Sequence, residues 1–200
     1  MASGRDLYDL LESHWEGLAH NFAAVWSEGL TVEETARRLR VAPETAATVT
    51  LAGLPSGFGG DEMPGDHDGI VLVGQFASWS LAIQVQWLDI TNDRELSDLS
   101  RDGGRAVGIG WHGDGGHRIY HAVDGQVVDN LPMEVIPPSL AAEAEGLEMP
   151  ATWDVPVDQG SPTEEMITTS LVLIGRVTGQ EIDQSWLDTS HTRYLIRRSR

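Results

Sequence analysis

Apolar residues recur at helical spacing near the start of the chain. Leu11, Trp15, Leu18, Phe22 and Trp26 follow at intervals of four, three, four and four, a single stripe that predicts an amphipathic helix over 7–28, ended by Gly29. Thr31 with Glu34 three residues on forms a capping box. Val32, Thr35, Ala36 and Leu39 supply the inner face of that second helix. Pro43 sits where a third short helix would begin, running to about Leu51. Residues 53–69 are rich in glycine and proline and predict a loop between a helical front and a β-rich middle.

Ile70–Gly74 predicts a short strand. The strongest strand signal follows, with Trp79, Leu81, Ile83, Val85 and Trp87 alternating with Ser80, Ala82, Gln84 and Gln86, the odd face core and the even face wet. After a helical turn at Arg94–Leu99 come strands at about 105–112, 117–123 and 126–130, the last two joined by Asp124-Gly125, a hairpin signal. If Asp114-Gly115 is the preceding turn, 112 faces 117 and 109 faces 120. One face then shows Val107, Ile109, Trp111, Tyr120 and Ala122, and the other shows Gly108, Gly110, His112, His117, Ile119 and His121. Pro137-Pro138 introduces a short acidic helix to about Gly146. Ser161-Pro162-Thr163-Glu164 starts a long helix with Ile167, Leu171, Ile174 and Val177 inward, ended by Gly179; 181–200 predicts a further short helix or strand.

These elements predict one α+β domain over 1–200: N-terminal helices, a four- to six-stranded mainly antiparallel sheet, and a long C-terminal helix packed on it. Its parts are a helical front (1–52), the loop (53–69), the β-rich middle (70–130) and a helical or irregular C-terminal part (131–200).

Composition then narrows the chemistry. Without cysteine there is no disulfide framework, thiol catalysis or Cys-ligated metal site, which fits a reducing cytoplasm. No signal-like or membrane-spanning run is present. The formal net charge is −18, spread along the whole chain. Such a field repels phosphate backbones and anionic lipid, so neither nucleic acid nor membrane is expected as a partner, whereas encounter with a basic protein is favoured. All thirteen basic residues are arginine, four of them in the last eight positions.

The stretch Leu99-Ser-Arg-Asp-Gly-Gly-Arg-Ala-Val-Gly-Ile-Gly110, followed by Arg118-Ile-Tyr-His-Ala-Val-Asp-Gly125, resembles a domain-of-unknown-function family of small acidic proteins from high-GC Gram-positive bacteria. The helix start Gly29-Leu-Thr-Val-Glu-Glu34, the strand residue Trp79 and the helix end Thr178-Gly179 match the same family in order, over roughly 20–190. Asp102, between Arg101 and Gly103, departs from its turn pattern, as does the hairpin tip His112–His117. The resemblance implies no activity. Its glycines and Asp-Gly turns are backbone features.

Candidate sites are few. His112, Asp114 and His117 are zinc-type ligands, with His112 and His117 as predicted cross-strand neighbours. His121 lies about 13 Å along the strand from His117, too far to share an ion. Asp61, Glu62, Asp66 and Asp68 lack the alternation of a calcium loop and read as a solvated acidic segment. No nucleophile elbow is present, and without lysine no P-loop is possible. Of seven tryptophans, Trp15, Trp26, Trp79, Trp87 and Trp111 fall on predicted inner faces. Trp153 and Trp186 sit in irregular stretches and, if exposed, are the anchors for a partner. The expectation is therefore a non-enzymatic acidic module without cofactors, an accessory or antidote protein binding a basic protein partner through Trp153, Trp186, His112 and His117. The alternative is a small metal-dependent enzyme or ligand-binding protein using the histidine face of the 105–123 hairpin.

Overall fold

The computed structural model describes residues 6–14, 21–53, 67–84, 89–112, 116–150 and 164–197. Five helices and one eight-stranded antiparallel sheet make an α+β fold. The helices are α1 (Asp6–His14), α2 (Val32–Arg38), α3 (Asp93–Ser100), α4 (Glu164–Thr178) and α5 (Gln184–Asp188). The strands are β1 (Asn21–Glu28), β2 (Val41–Val49), β3 (His67–Phe76), β4 (Trp79–Gln84), β5 (Arg105–His112), β6 (Arg118–Val123), β7 (Gln126–Pro132) and β8 (His191–Arg197). They line up as β2-β8-β3-β4-β1-β5-β6-β7. Among the described residues, no helix is long and apolar enough to cross a membrane.

Alternation along β1 shows how the sheet divides the core. Phe22, Ala24 and Trp26 join a cluster with Leu81, Ile83, Val107, Ile109 and Trp111, which α1, α4 and α5 cover through Leu11, Ile167, Leu171, Ile174 and Leu187. Ala23 and Val25 join Val71, Val73, Ala82 and Ala106 on the other face, under Ala36 of α2, its C-cap Leu39, and Leu96 and Leu99 of α3. Both faces of the central strands β1 and β4 are therefore dry. α4 also packs on α1, where the Tyr8 amide donates to Thr168 Oγ1 at 3.3 Å.

Several expectations hold. Thr31 Oγ1 caps α2 by accepting from the Glu34 amide, and the helical turn expected near Arg94–Leu99 is α3. Asp124 and Gly125, at φ 48° and 79°, make the two-residue turn between β6 and β7. The predicted stripe of α4 is buried, and Gly179 ends it at φ 77°.

Others are corrected. The helix predicted over 7–28 is α1 followed by β1, a central strand. Phe22 and Trp26 are core residues as expected, but as alternate members of a strand. The third helix predicted from Pro43 is the edge strand β2, where a proline without an amide to offer is tolerated and the register slips between Ala42 and Ala47. The even face of β4 is not wet: Ser80, Ala82 and Gln84 are as buried as their neighbours, because α2 and the segment before α3 cover it. Neither 1–52 nor 131–200 is purely helical or irregular, since β1, β2 and β8 belong to the sheet and raise it from the expected four to six strands to eight. The turn Asp114-Gly115 lies outside the described residues.

The β5–β6 register is the most consequential correction. Ile109 faces Ile119, and Val107 faces His121, one residue away from expectation. Ile119 and His121 therefore join the Val107 face, while Tyr120 and Ala122 join the opposite one. Continued to the hairpin end, this register places position 117 opposite Trp111 rather than 112.

Candidate functional site

The conspicuous sequence motif turns out to tie the chain together at one end of the sheet. The Arg38 guanidinium, whose side chain is 9% exposed, donates to the Asp98 and Arg101 carbonyls at 3.0 and 3.1 Å and to the Asp102 carboxylate at 2.9 Å, capping the C-terminal end of α3. Asp102 and Gly103 then take left-handed conformations, φ 67° and 79°, that reverse the chain into β5. The Gly103 amide donates to Asp124 Oδ1 at 2.8 Å, and the Gly125 amide donates to Ser100 Oγ at 3.1 Å, joining this turn to the β6–β7 hairpin. Arg105 makes two hydrogen bonds to Glu28, at 2.8 and 3.1 Å, and lies 5.3 Å over Trp79. The residues that carry the family resemblance are thus accounted for by folding. The departure at Asp102 supplies both a turn residue and an ion-pair partner.

Around that turn, α2 and α3 hold a balanced charge network. Glu34 pairs with Arg37 and Arg38, Arg40 with Glu95 and Asp98, and Arg101 with Asp98. Hydrogen bonds from Arg37 and then Arg38 hold the Glu34 carboxyl down to about 2.

The opposite helical layer is different. α1 exposes Asp9 and Glu12, α4 exposes Glu164 and Glu165, and the approach to and end of α5 expose Glu181, Asp183 and Asp188. Within α4 the basic residue is Arg176, and its guanidinium is engaged by the Glu143 and Glu145 carbonyls at 3.0 and 2.8 Å. The groups form one surface: His14 of α1 meets Asp188 at 3.1 Å, and Glu12, Glu164 and Asp9 follow burial in raising the Tyr8 pKa.

The sequence-predicted site residues separate. Trp186 is 7% exposed, stacked on His191 at 4.0 Å, edge-on to Phe76, with its indole N–H donating to the Gln75 carbonyl at 2.9 Å. It is a core residue, and its candidacy as an exposed anchor ends there. His117 lies 2.7 Å from Glu134 across Nε2. His112 ends β5, but its side chain is not described, and Asp114 and Trp153 lie outside the described residues. The register no longer sets His112 and His117 opposite each other, the geometry on which the metal reading depended. Among the described residues, no group of three His, Asp or Glu side chains is placed to hold a metal ion.

Sequence reading missed a Ser–His–Asp cluster. His121 Nδ1 lies 2.6 Å from Ser139 Oγ, which donates a short hydrogen bond to Asp129 Oδ2; the Ser139 amide donates to the same oxygen at 3.1 Å. The order is wrong for nucleophilic catalysis: the hydroxyl proton is directed at the carboxylate, so the imidazole donates to the serine and is no base for it. No motif signalled the cluster, because Ser139 reaches His121 only through the β6–β7 register.

Among the described residues, the molecule is therefore an α+β protein whose α2–α3 layer matches its carboxylates with arginines and whose α1–α4–α5 layer carries an excess of exposed carboxylates. No protein-family model, no curated protein and no solved structure matches the chain.

Proposed function

We propose that this is a non-enzymatic acidic binding module of the cytoplasm that recognises a basic protein partner, in an accessory or antidote role. One observation carries the reading. The α2–α3 layer opposes Glu33, Glu34, Asp93, Glu95, Asp98 and Asp102 with Arg37, Arg38, Arg40, Arg94 and Arg101. The α1–α4–α5 layer presents seven exposed carboxylates beside Arg176, which is engaged by carbonyls. Intramolecular neutralisation would have served solubility on both faces alike; the excess of carboxylates among the described residues of one face favours a cationic partner there, steering its approach more than fixing its final affinity.

The test is affinity capture from the native host at rising salt. The reading expects a basic protein held stoichiometrically at low ionic strength and released progressively as salt shortens the screening length from about 10 Å at 0.1 M to about 3 Å at 1 M. Capture that is indifferent to salt, or of acidic proteins, contradicts it.

A further inference from the structure

The chain Asp129–Ser139–His121 fastens the segment after β7 to the sheet edge. Its geometry fixes a tautomer. Because the serine hydrogen goes to the carboxylate, the imidazole donates through Nδ1–H, and Nε2 is left as a bare acceptor. Among the described residues that nitrogen has no hydrogen-bond partner, in a residue 4% exposed. The charged groups around it are Arg105 of β5, itself paired with Glu28 of β1; Asp129 of β7; and Glu143, in the turns beyond the short 3-10 helix Pro138–Leu140, whose own carbonyl is held by Arg176 of α4.

We propose that this chain is a proton-operated latch: the 133–146 segment is closed over the sheet edge while His121 is neutral and loosens when His121 takes a proton, with the sheet still folded. The imidazolium would carry an Nε2–H that meets no acceptor among the described residues, in a buried site beside a guanidinium. Burial first and Arg105 second already lower the His121 pKa, against the opposing pull of Asp129 and Glu143. Relief comes from reaching water, and Ser139, on the exposed side, is what must move. Opening would uncover Met133, Leu140 and Ala144, which are 0, 1 and 5% exposed, near the already exposed Val128 and Val135. Acidification would thus enlarge an apolar patch at the β7 edge.

Hydrogen exchange on the full chain at pH 7.5 and 5.0, corrected for intrinsic rates, tests this. Protection across 133–146 is expected to fall severalfold at the lower pH while that of β1 and β4 holds. His121→Asn keeps a donor for Ser139 but cannot charge, and should abolish the response. His117→Gln, which removes the nearby His117–Glu134 pair, should leave it intact. Should the Asn variant fail to fold, the wild-type His121 ring resonance and the amides of 139–144 must titrate with one midpoint. An unchanged protection pattern, a response surviving in His121→Asn or lost in His117→Gln, or separate midpoints would overturn the latch.

Discussion

Replacing Gly74 by alanine separates two opposed effects cleanly. Gly74 is not among the left-handed glycines, so alanine suits its backbone, and in a strand interior the change would ordinarily stabilise by about 0.5–1 kcal/mol. Here the new methyl would run into His191 Nδ1, with His191 Cε1 and Trp186 Cζ2 each 3.0 Å away. The ring cannot retreat. It is stacked on Trp186 at 4.0 Å, its Nε2 is 2.8 Å from the Trp186 carbonyl, and Trp186 is itself tied to Gln75 and Phe76. Overpacking typically costs about 1–3 kcal/mol, and a neighbour held by both a stack and a hydrogen bond argues for the upper half, about 2–3 kcal/mol. For a chain of this size that is a drop of roughly 5–10 °C in Tm. Urea unfolding followed by tryptophan fluorescence, in wild-type and His191→Ala backgrounds, reads it directly. With the ring removed, the same alanine should cost under about 1 kcal/mol, so the two changes couple by at least about 1 kcal/mol. A Gly74→Ala protein within about 0.5 kcal/mol of wild type, or an equal cost in both backgrounds, would refute the packing argument.

Arg38→Met should lose about 1.5–3 kcal/mol in urea unfolding, because it strips donors from two carbonyls at the end of α3, and Arg38→Lys should recover less than half of that, an ammonium being unable to reproduce the fork. Stability should also fall on acidification in two stages. His121 and His191 are both lowered chiefly by burial, so below pH ~6.5 the unfolded chain binds protons that the folded one refuses, and the urea midpoint declines from there. Glu28 and Glu34, both lowered by arginine hydrogen bonds, stabilise above their ordinary range and are lost as pH falls through ~4.5 toward the value of about 2 for Glu34. A midpoint that is flat from pH 7.5 to 5.5, or that rises on acidification, contradicts the first stage.

What could be read from residues alone followed from local chemistry: the cap at Thr31, the Asp124-Gly125 turn and the inner stripe of α4. What misled was burial on both faces of the sheet. β1 carries Phe22, Ala23, Ala24, Val25 and Trp26, all buried, so its period of two is invisible, and a chance helical spacing through Trp26 is left as the apparent signal. The β5–β6 slip has the same cause. An apolar-versus-polar contrast fixes register only where one face is wet, and here Ile119 and Ala122 are equally welcome on opposite sides. The candidate site suffered next, since pairing His112 with His117 depended on that register, whereas the Ser139–His121 contact comes from the β6–β7 pairing that sets His121 opposite Asp129. The charge asymmetry could not be seen in a chain both of whose halves carry a net negative charge; it emerges only when α1, α4 and α5 gather on one side and the arginines of α2 and α3 on the other.

That asymmetry is best tested by quantitative affinity capture with two charge-reversed proteins beside the wild type. One carries Asp9→Arg, Glu12→Arg, Glu164→Arg and Glu165→Arg on the α1–α4 surface; the other carries Glu33→Arg and Asp93→Arg on the α2–α3 surface. Both should fold, since every substituted side chain is exposed. The basic partner should be lost from the first and retained by the second. Equal retention by both, or loss from the second alone, would contradict the assignment of binding to the acidic helical face.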